Sequence, residues 1–327
     1  MPRVMVFGKS QRRTTRKVRH IIRAFKEQGN ETLWLNPVRI LRHKGKETDQ
    51  YIIKQITSFK PDIIFIHSQD IPLTVLRQVC GSSITTVMFY MDWSLEIPRS
   101  VIERATLVDI FLVTGKALLK DYRSAGVSNP IYFTDACDRY DHHRRSPILS
   151  IWKSDVAFIG TARKNEPRVE LVRRLGELCK VRVYGRNWEQ FGIRATLKVV
   201  GPRAYGLICG GSKIILGADI TNAADGYWSN RLWLTLGCGG FLLTSYVPGL
   251  EDFFTNHVHL VWYRDEDECI ALAQEYLAKP QERKRIAEQG YQLVHEHHTF
   301  HHFVDRIIAL YDEHHRGEKE ILNNQEP

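Results

Sequence analysis

The chain has 327 residues, more than one hydrophobic core normally supports, so two domains of about 150 residues are expected. Its composition, 43% hydrophobic and 25% charged, is that of an ordinary globular protein and excludes disordered and fibrous chains. The formal net charge of +9 favours anionic partners, which include nucleotide phosphates, nucleic acid and acidic membrane surfaces. No apolar run approaches the roughly 18 residues of a membrane span and the N-terminus begins directly with a strand pattern, so we expect a cytoplasmic protein.

The six cysteines stand far apart in the sequence, and none belongs to a CxxC pair or to a zinc-binding spacing. Most lie in apolar surroundings, where a thiol behaves as a small hydrophobic group. We therefore expect free, buried thiols at Cys80, Cys137, Cys179, Cys209, Cys238 and Cys269.

The first half of the chain alternates short apolar runs with amphipathic stretches. One of these stretches, residues 16–28, has apolar residues at helical spacing and ends at Gly29. Alternation of this kind predicts a parallel sheet covered by helices, a Rossmann-like domain that we assign to residues 1–150. The predicted strands are residues 4–8, 32–36, 62–67, 85–91, 109–114 and 131–133.

Residues 139–147 form a polar, proline-containing stretch that suits a connection between domains. A second alternation follows, which we assign to another Rossmann-like domain at residues 151–300. Residues 301–327 are assigned to a last helix and a tail. The predicted strands are residues 156–160, 181–185, 214–217, 241–244 and 259–263, and the predicted helices are residues 167–179, 205–211, a stretch around Leu232 and 303–314.

The most informative stretch runs from Ser229 to Thr244. A polar loop with one cation, Arg231, leads into an apolar helix that stops at paired glycines before a buried strand. A helix N-terminus offers unpaired N–H groups and the positive end of a dipole, so this loop suits an anion such as a diphosphate. The alternative is a helix and a strand joined by a glycine turn.

The order of elements that follows is also distinctive, and the whole pattern resembles the C-terminal domain of the CgeB-like, group-1 glycosyltransferases over residues 155–310. The resemblance implies an α/β fold of the GT-B class, with two facing Rossmann-like domains, a cleft between them and a last helix that crosses back to the first domain. It also implies transfer of a sugar from a nucleotide-sugar donor without a metal or other cofactor. The segments that carry it are Ser229–Gly240, Pro248–Phe254, Asp265–Glu268, Lys279–Gly290 and His295–Phe300.

In that family the segment that matches Ser229–Gly240 lies at the donor, and the one that matches Tyr184–Trp188 lies near its base. Cations that flank predicted strands would neutralise the diphosphate as it leaves. The family usually has a Glu three residues after Arg231, where Leu234 stands here, and Asp225 is the nearest candidate to replace an acidic partner of the ribose. The candidate donor residues are Gly160, Thr161, Arg163, Tyr184, Gly185, Arg186, Lys213, Asp225, Tyr227, Ser229, Asn230 and Arg231.

The acceptor side is expected at the carboxyl ends of the first domain's strands. Asp92 follows the fourth predicted strand, where its carboxylate would accept a proton from an acceptor hydroxyl or orient it. The alternative is that Asp92 caps the next helix. The other candidate residues on this side are Gly8, Lys9, Ser10, Asp70 and Trp93.

Two patterns that suggest metal sites have simpler explanations. Asp265–Asp267 resembles a DxD motif but opens a helix, where acidic residues favour the dipole. The run from His295 is not HExxH, because its fifth residue is Thr299. Two alternatives to the main hypothesis stay open: a glycosyltransferase that acts on modified DNA bases, suggested by the positive charge, and a non-catalytic protein of the same fold that binds sugar nucleotides or nucleic acid, suggested by Leu234. A polyanionic acceptor, nucleic acid included, is the class that the charge favours.

Overall fold

The computed structural model describes residues 1–9, 16–94, 96–163, 167–219 and 221–323. Ser10, one of the candidate acceptor residues, lies outside them. The chain divides into two compact units. Unit 1 contains the first nine residues, Lys17–Thr134 and the chain from Phe300 onward, and unit 2 contains Asp135–Thr299.

Unit 1 is built on a six-stranded sheet. Its strands are β1 Val4–Phe7, β2 Thr32–Leu35, β3 Ile63–His67, β4 Thr85–Tyr90, β5 Ile110–Val113 and β6 Pro130–Tyr132. Their order is β2-β1-β3-β4-β5-β6, and all neighbouring strands are parallel. The helices of this unit are α1 Lys17–Glu27, α2 Pro37–Lys44, α3 Thr48–Phe59, α4 Leu73–Val79, α5 Arg99–Ala105, α6 Leu119–Ser124 and, at the end of the chain, α12 Phe300–Asn323.

The core of unit 1 forms because β1, β3, β4 and β5 are almost continuously apolar and are buried along their length. Helix α1 buries Val18 and Ile21 at the helical spacing that the sequence shows. Helix α12 contributes Phe303, whose ring lies edge-on to the rings of Phe89 and Phe133, with centroids 5.1 and 4.8 Å away. The final helix is therefore part of the core of unit 1.

Unit 2 is built on a five-stranded parallel sheet. Its strands are β7 Ser154–Ile159, β8 Val181–Tyr184, β9 Ser212–Gly217, β10 Leu242–Ser245 and β11 Val261–Tyr263. Their order is β11-β10-β9-β7-β8. The helices are α7 Pro167–Leu178, α8 Pro202–Gly211, α9 Arg231–Gly237, α10 Glu266–Ala278 and α11 Pro280–His297.

Glycines at the end of α8 let the segment that leads into β7, which contains Arg145 and Trp152, lie directly on this helix. A Cβ at Gly210 would overlap the carbonyl oxygen of Arg145, and a Cβ at Gly211 would overlap that of Trp152. This segment is thus packed into unit 2. The boundary between the units falls after Thr134 rather than at residue 150, where the polar stretch of the sequence suggested it.

The acidic run that resembles a DxD motif begins a helix, as the sequence indicated. Asp265 is the N-cap residue of α10, and its Oδ1 accepts a hydrogen bond from the backbone N–H of Glu268 at 2.8 Å. The Glu268 carboxylate in turn accepts from the backbone N–H of Arg264 at 2.6 Å. Both carboxylates are therefore used to cap α10.

All six cysteines are free thiols. Four are buried as expected, whereas Cys80 and Cys179 are only partly buried. In the part of the chain that the structure describes, no helix combines the length and the apolar character needed to cross a bilayer.

Each sheet has one pair of neighbouring strands whose chain connections leave in opposite directions. In unit 1 this pair is β1 and β3, because β2 lies beyond β1 while β4 lies beyond β3. In unit 2 it is β7 and β9, because β8 lies beyond β7 while β10 lies beyond β9. Open α/β sheets bind ligands outside the carboxyl ends of the strands at such a switch point.

Candidate functional site

Arg231, the first residue of α9, occupies the switch point of unit 2. Its Nε donates to the carbonyl oxygen of Ile159 at the end of β7, at 2.7 Å, and its Nη1 donates to that of Ala218 just after β9, at 3.4 Å. The guanidinium also lies over the ring of Phe158, with Cζ 4.9 Å from the centroid. The side chain thus connects the carboxyl ends of the two strands that define the switch point.

Asp219 holds Arg231 in this position. Its Oδ1 lies 3.5 Å from Nη1 of Arg231 and accepts from the backbone N–H of Ser229 at 3.3 Å. The side chains of Arg231 and Asp219 are only 11% and 5% exposed, so the ion pair is weakly screened. The sequence reasoning did not select Asp219, although it is a polar residue directly after a predicted strand, which is the signal that selected Asp92.

Among the residues that the structure describes, none accepts a hydrogen bond from Nη2 of the Arg231 guanidinium. The hydrogen bonds with described residues use Nε and Nη1, while Nη2 lies above Gly160, 2.9 Å from where a Cβ of that residue would be. A guanidinium carries five N–H donors, so Nη2 retains two for a ligand. Any side chain at Gly160 would push against this group.

The loop after β8 approaches the loop after β7 closely enough to require a second glycine. Gly185 has φ +140°, and a Cβ there would overlap the carbonyl oxygen of Gly160. The backbone N–H of Ala162 donates to the carbonyl oxygen of Arg186 at 2.9 Å. Arg163 and Arg186 are exposed in these two loops, and Thr161 is half-buried between them and the sheet. The structure therefore brings Gly160, Thr161, Arg163, Gly185, Arg186 and Arg231 to the same end of the sheet.

Lys213 is not part of this group. It lies at the start of β9, and its Nζ forms an ion pair with Asp155, at the start of β7, at 2.7 Å. The hydrogen bond from Lys213 lowers the pKa of the Asp155 carboxyl. Placing Lys213 with Arg231 was wrong because residues that precede a parallel strand and residues that follow one lie at opposite ends of the sheet.

Tyr184 does not present its side chain to the site either. Its ring is fully buried, and its hydroxyl donates to the carbonyl oxygen of Ile151 at 3.2 Å. Burial raises the pKa of this phenol. The Tyr184 side chain packs inside unit 2 under the loop that follows β8. Only the backbone of Tyr184 could contact a ligand at this position.

The loop before α9 carries the remaining donor candidates. Ser229 and Asn230 are half-buried, Tyr227 is buried, and the carboxylate of Asp225 is exposed beside Gly249, the loop residue after β10. Leu234 is buried in the apolar cluster around α8 and α9. The position where the family has a carboxylate is thus part of the hydrophobic core here.

At the switch point of unit 1, Asp70 and Lys9 form an ion pair. Asp70, which is buried, accepts from the backbone N–H of Lys9 at 2.8 Å and pairs with its Nζ at 2.9 Å. His67 Nδ1 lies 3.9 Å from the same carboxylate. Burial opposes ionisation, but the interactions with His67 and Lys9 outweigh it, so the pKa of Asp70 lies below its ordinary value.

The other candidates of unit 1 differ in role. A Cβ at Gly8 would lie 2.6 Å from Cγ2 of Val18, so this glycine allows α1 to pack on the end of β1. Trp93 is half-buried against Gly115. Asp92 is exposed just after β4, and the capping alternative is wrong because α5 begins only at Arg99, after Pro98.

Most of unit 2 and the beginning of α12 match a family model. Residues 163–309 match the family model described as "Glycosyl transferase-like". No curated protein matches the chain. Sucrose-phosphate synthase from Thermosynechococcus elongatus has a similar structure, with a TM-score of 0.69 at 10% identity over 96% of this chain and 99% of that one. The chain has the GT-B fold of glycosyltransferases.

Two further GT-B neighbours support this assignment. HepE of Anabaena, solved in complex with UDP-glucose, has a TM-score of 0.61 at 10% identity over 98% of this chain and 100% of that one. AviGT4, a glycosyltransferase involved in avilamycin A biosynthesis, has a TM-score of 0.60 at 12% identity over 97% of this chain and 99% of that one. The predicted GT-B class, with parallel sheets of six and five strands, is confirmed. At these identities the likeness extends to the fold and not to the substrates.

Proposed function

We propose that this protein is a glycosyltransferase, of the CgeB-like branch that its sequence resembles, and that it moves a sugar from a nucleoside diphosphate donor at unit 2 to a hydroxyl group of an acceptor held by unit 1. The observation that carries the proposal is the available Nη2 of Arg231 above Gly160, at the switch point of the unit that matches a glycosyl transferase-like family. The UDP-glucose complex of HepE supports a nucleoside diphosphate sugar as the donor. The family model and AviGT4 are described as glycosyltransferases, and no match favours the nucleic-acid or the non-catalytic alternative.

In the proposed reaction the acceptor oxygen forms a bond to the anomeric carbon. The bond between that carbon and the diphosphate oxygen breaks, and its electron pair goes to the leaving nucleoside diphosphate. The acceptor hydroxyl loses its proton to a general base. Negative charge therefore develops on the diphosphate, and donors that are fixed before the reaction stabilise it at little reorganisation cost.

Arg231 suits this role because its guanidinium is fixed before the ligand arrives. Two carbonyl oxygens and Asp219 hold Nε and Nη1, so Nη2 has a defined position. The exposed cations Arg163 and Arg186 would add to the field around the diphosphate. These three cations are the basis for proposing a reaction without a metal ion.

Asp92 is the proposed proton acceptor. It is an exposed carboxylate after β4 that caps no helix, which leaves it available to an acceptor hydroxyl. The substitution Asp92→Asn should slow transfer by about a hundredfold while UDP binding stays within twofold of the parent. Equal loss of transfer and of UDP affinity would contradict this role.

The donor site is tested by comparing UDP with uridine. Arg231→Ala should weaken UDP binding by at least about tenfold and leave uridine binding almost unchanged, since charge-assisted hydrogen bonds to phosphate contribute about 1.5–3 kcal/mol. Titration calorimetry measures both ligands. Gly160→Ala, which displaces Nη2 but keeps the ion pair, should act in the same direction.

Arg123→Ala is the matched control, because Arg123 is an exposed arginine of unit 1 on α6. It should change neither affinity. If Arg231→Ala weakens UDP and uridine equally in a folded protein, Arg231 is purely structural. Absence of UDP-sugar turnover with any acceptor alcohol, despite specific UDP binding, would identify a binding protein instead of an enzyme.

A further inference from the structure

Unit 1 contains a cavity of about 390 Å³ beside its switch point. This volume lies in the range of small-molecule sites. The cavity lies between helix α2, the start of α3 and the loop after β3, and the residues Lys9 and Asp70 reach it from the carboxyl ends of β1 and β3. It is therefore placed where a parallel sheet binds its ligands.

One wall of the cavity is aliphatic. Helix α2 has no buried residue, and Val38 and Leu41, one turn apart, face the cavity together with Ile71 and Pro72 from the loop after β3. Leu41 is 58% exposed, so its apolar side chain is open to a ligand. An apolar group of a ligand would remove this surface from water.

The opposite part of the lining is polar, and the described residues in it carry no excess charge. It contains two cations, Lys9 and Lys46, and two carboxylates, Asp49 and Asp70. Lys9 pairs with Asp70 at 2.9 Å, and Asp49 accepts a hydrogen bond from the hydroxyl of Thr74. Such a lining gives no net attraction to a phosphate. It does offer donors and acceptors side by side, which a hydroxyl group uses because it both donates and accepts.

We propose that this cavity binds the acceptor and that the acceptor is an uncharged amphiphilic alcohol, with its apolar part against Val38 and Leu41 and its hydroxyl-bearing part at Lys9 and Asp70. That the ligand is the acceptor of a transfer reaction rests on the proposed function. That the ligand is an uncharged amphiphilic alcohol follows from the lining of the cavity alone. It differs from the polyanionic acceptor that the net charge of the chain favours. The described residues that line the cavity do not share the positive charge of the whole chain.

Three small probes separate the parts of this proposal in titration calorimetry without a donor. Hexyl β-glucoside has an uncharged polyhydroxyl head and an alkyl tail, methyl β-glucoside lacks the tail, and hexyl phosphate exchanges the head for an anion. Hexyl β-glucoside should bind at least about tenfold more tightly than methyl β-glucoside, because burial of two methylene groups already gives this factor. It should also bind more tightly than hexyl phosphate, because the described lining offers no net positive charge to offset the desolvation of an anionic head. Tighter binding of hexyl phosphate, or equal binding of the two glucosides, would overturn the proposal.

Variants locate the binding in the cavity. Leu41→Glu places a charge on the apolar wall at an exposed position and should weaken hexyl β-glucoside by about tenfold. Leu178→Glu is the matched control, because Leu178 is a leucine of unit 2 with 51% exposure. An equal effect of the two variants, or no effect of Leu41→Glu, would show that the probe binds elsewhere and would overturn the proposal.

Lys46→Gln tests whether the ligand lacks an anionic group that would pair with Lys46. Glutamine keeps an N–H donor but removes the charge, so affinity for hexyl β-glucoside should stay within about twofold. A tenfold loss would mean that the site depends on the charge of Lys46 and would contradict an uncharged ligand. UDP binding is measured in parallel: if UDP fails to bind while hexyl β-glucoside binds at the cavity, the proposed function fails and the ligand chemistry stands.

Discussion

The two switch points of this molecule use the same device in different ways. Each contains an ion pair: in unit 1 Lys9 after β1 pairs with Asp70 after β3, and in unit 2 Arg231 at the start of α9 pairs with Asp219 after β9. In unit 2 the side chains of the two partners are 11% and 5% exposed, whereas in unit 1 the lysine side chain is 58% exposed. An arginine can be held at two nitrogens and still offer the third in a fixed direction, whereas a lysine presents its three N–H donors from a single nitrogen on a flexible stem.

This difference fits the two proposed ligands. A leaving diphosphate gains most from a cation that is already fixed in position. An uncharged hydroxyl gains more from a carboxylate and an ammonium group that can exchange partners. The fixed pair, Arg231 with Asp219, therefore suits the donor. The exchangeable pair, Lys9 with Asp70, suits the acceptor.

The largest expected effect on stability comes from adding a carboxylate to α9, the helix that begins with Arg231. Leu234→Glu restores the residue that the resembling family has, but Leu234 is buried in the apolar cluster of unit 2. The added charge has no partner there, so we expect a loss of about 3 kcal/mol or more in the free energy of unfolding. Urea denaturation measures it, with Leu234→Met as a control for shape.

A stable Leu234→Glu variant that binds UDP more tightly would have the opposite meaning. It would show that the core opens at this position and that the ribose of the donor lies beside α9, as in the resembling family. The buried environment of Leu234 would then not describe the protein with its donor bound.

The next test removes the carboxylate from each pair in turn. Asp219→Ala leaves a buried guanidinium without its partner and should lower the free energy of unfolding by about 3 kcal/mol. Asp70→Ala should cost about 1 kcal/mol, because Lys9 returns to water while the backbone N–H of Lys9 loses its acceptor and His67 loses its contact with the carboxylate. Urea denaturation of the two variants compares the pairs directly. Equal losses would mean that the two switch points do not differ in the way described.

Much of this arrangement could be predicted from the sequence, because the alternation of apolar strands and amphipathic helices indicates two parallel sheets covered by helices. All the strands of both sheets lie within two residues of their predicted bounds. The prediction for Lys213 was wrong because Lys213 lies at the start of its strand, whereas the residues around Arg231 follow the ends of theirs. Asp219 and the cavity beside α2 depend on contacts between residues far apart in the chain, such as Nε of Arg231 with the carbonyl oxygen of Ile159, and periodicity carries no information about these.

The smallest expected effect is the pH dependence of the exchangeable pair. The pKa of Asp70 is lowered from its ordinary value of 3.8, so the folded state favours the carboxylate more than the unfolded state does. Its contribution to stability is therefore present above that ordinary value and is lost as the pH falls through the lower pKa of the folded protein. The parent should be more stable than Asp70→Asn at pH 6, and the difference should shrink steadily as the pH is lowered below about 4. Urea denaturation of both proteins from pH 6 to pH 2.5 measures this difference. A difference that grows on acidification would mean that Asp70 is held in its protonated form, and the pairing with Lys9 would then not describe the folded protein in solution.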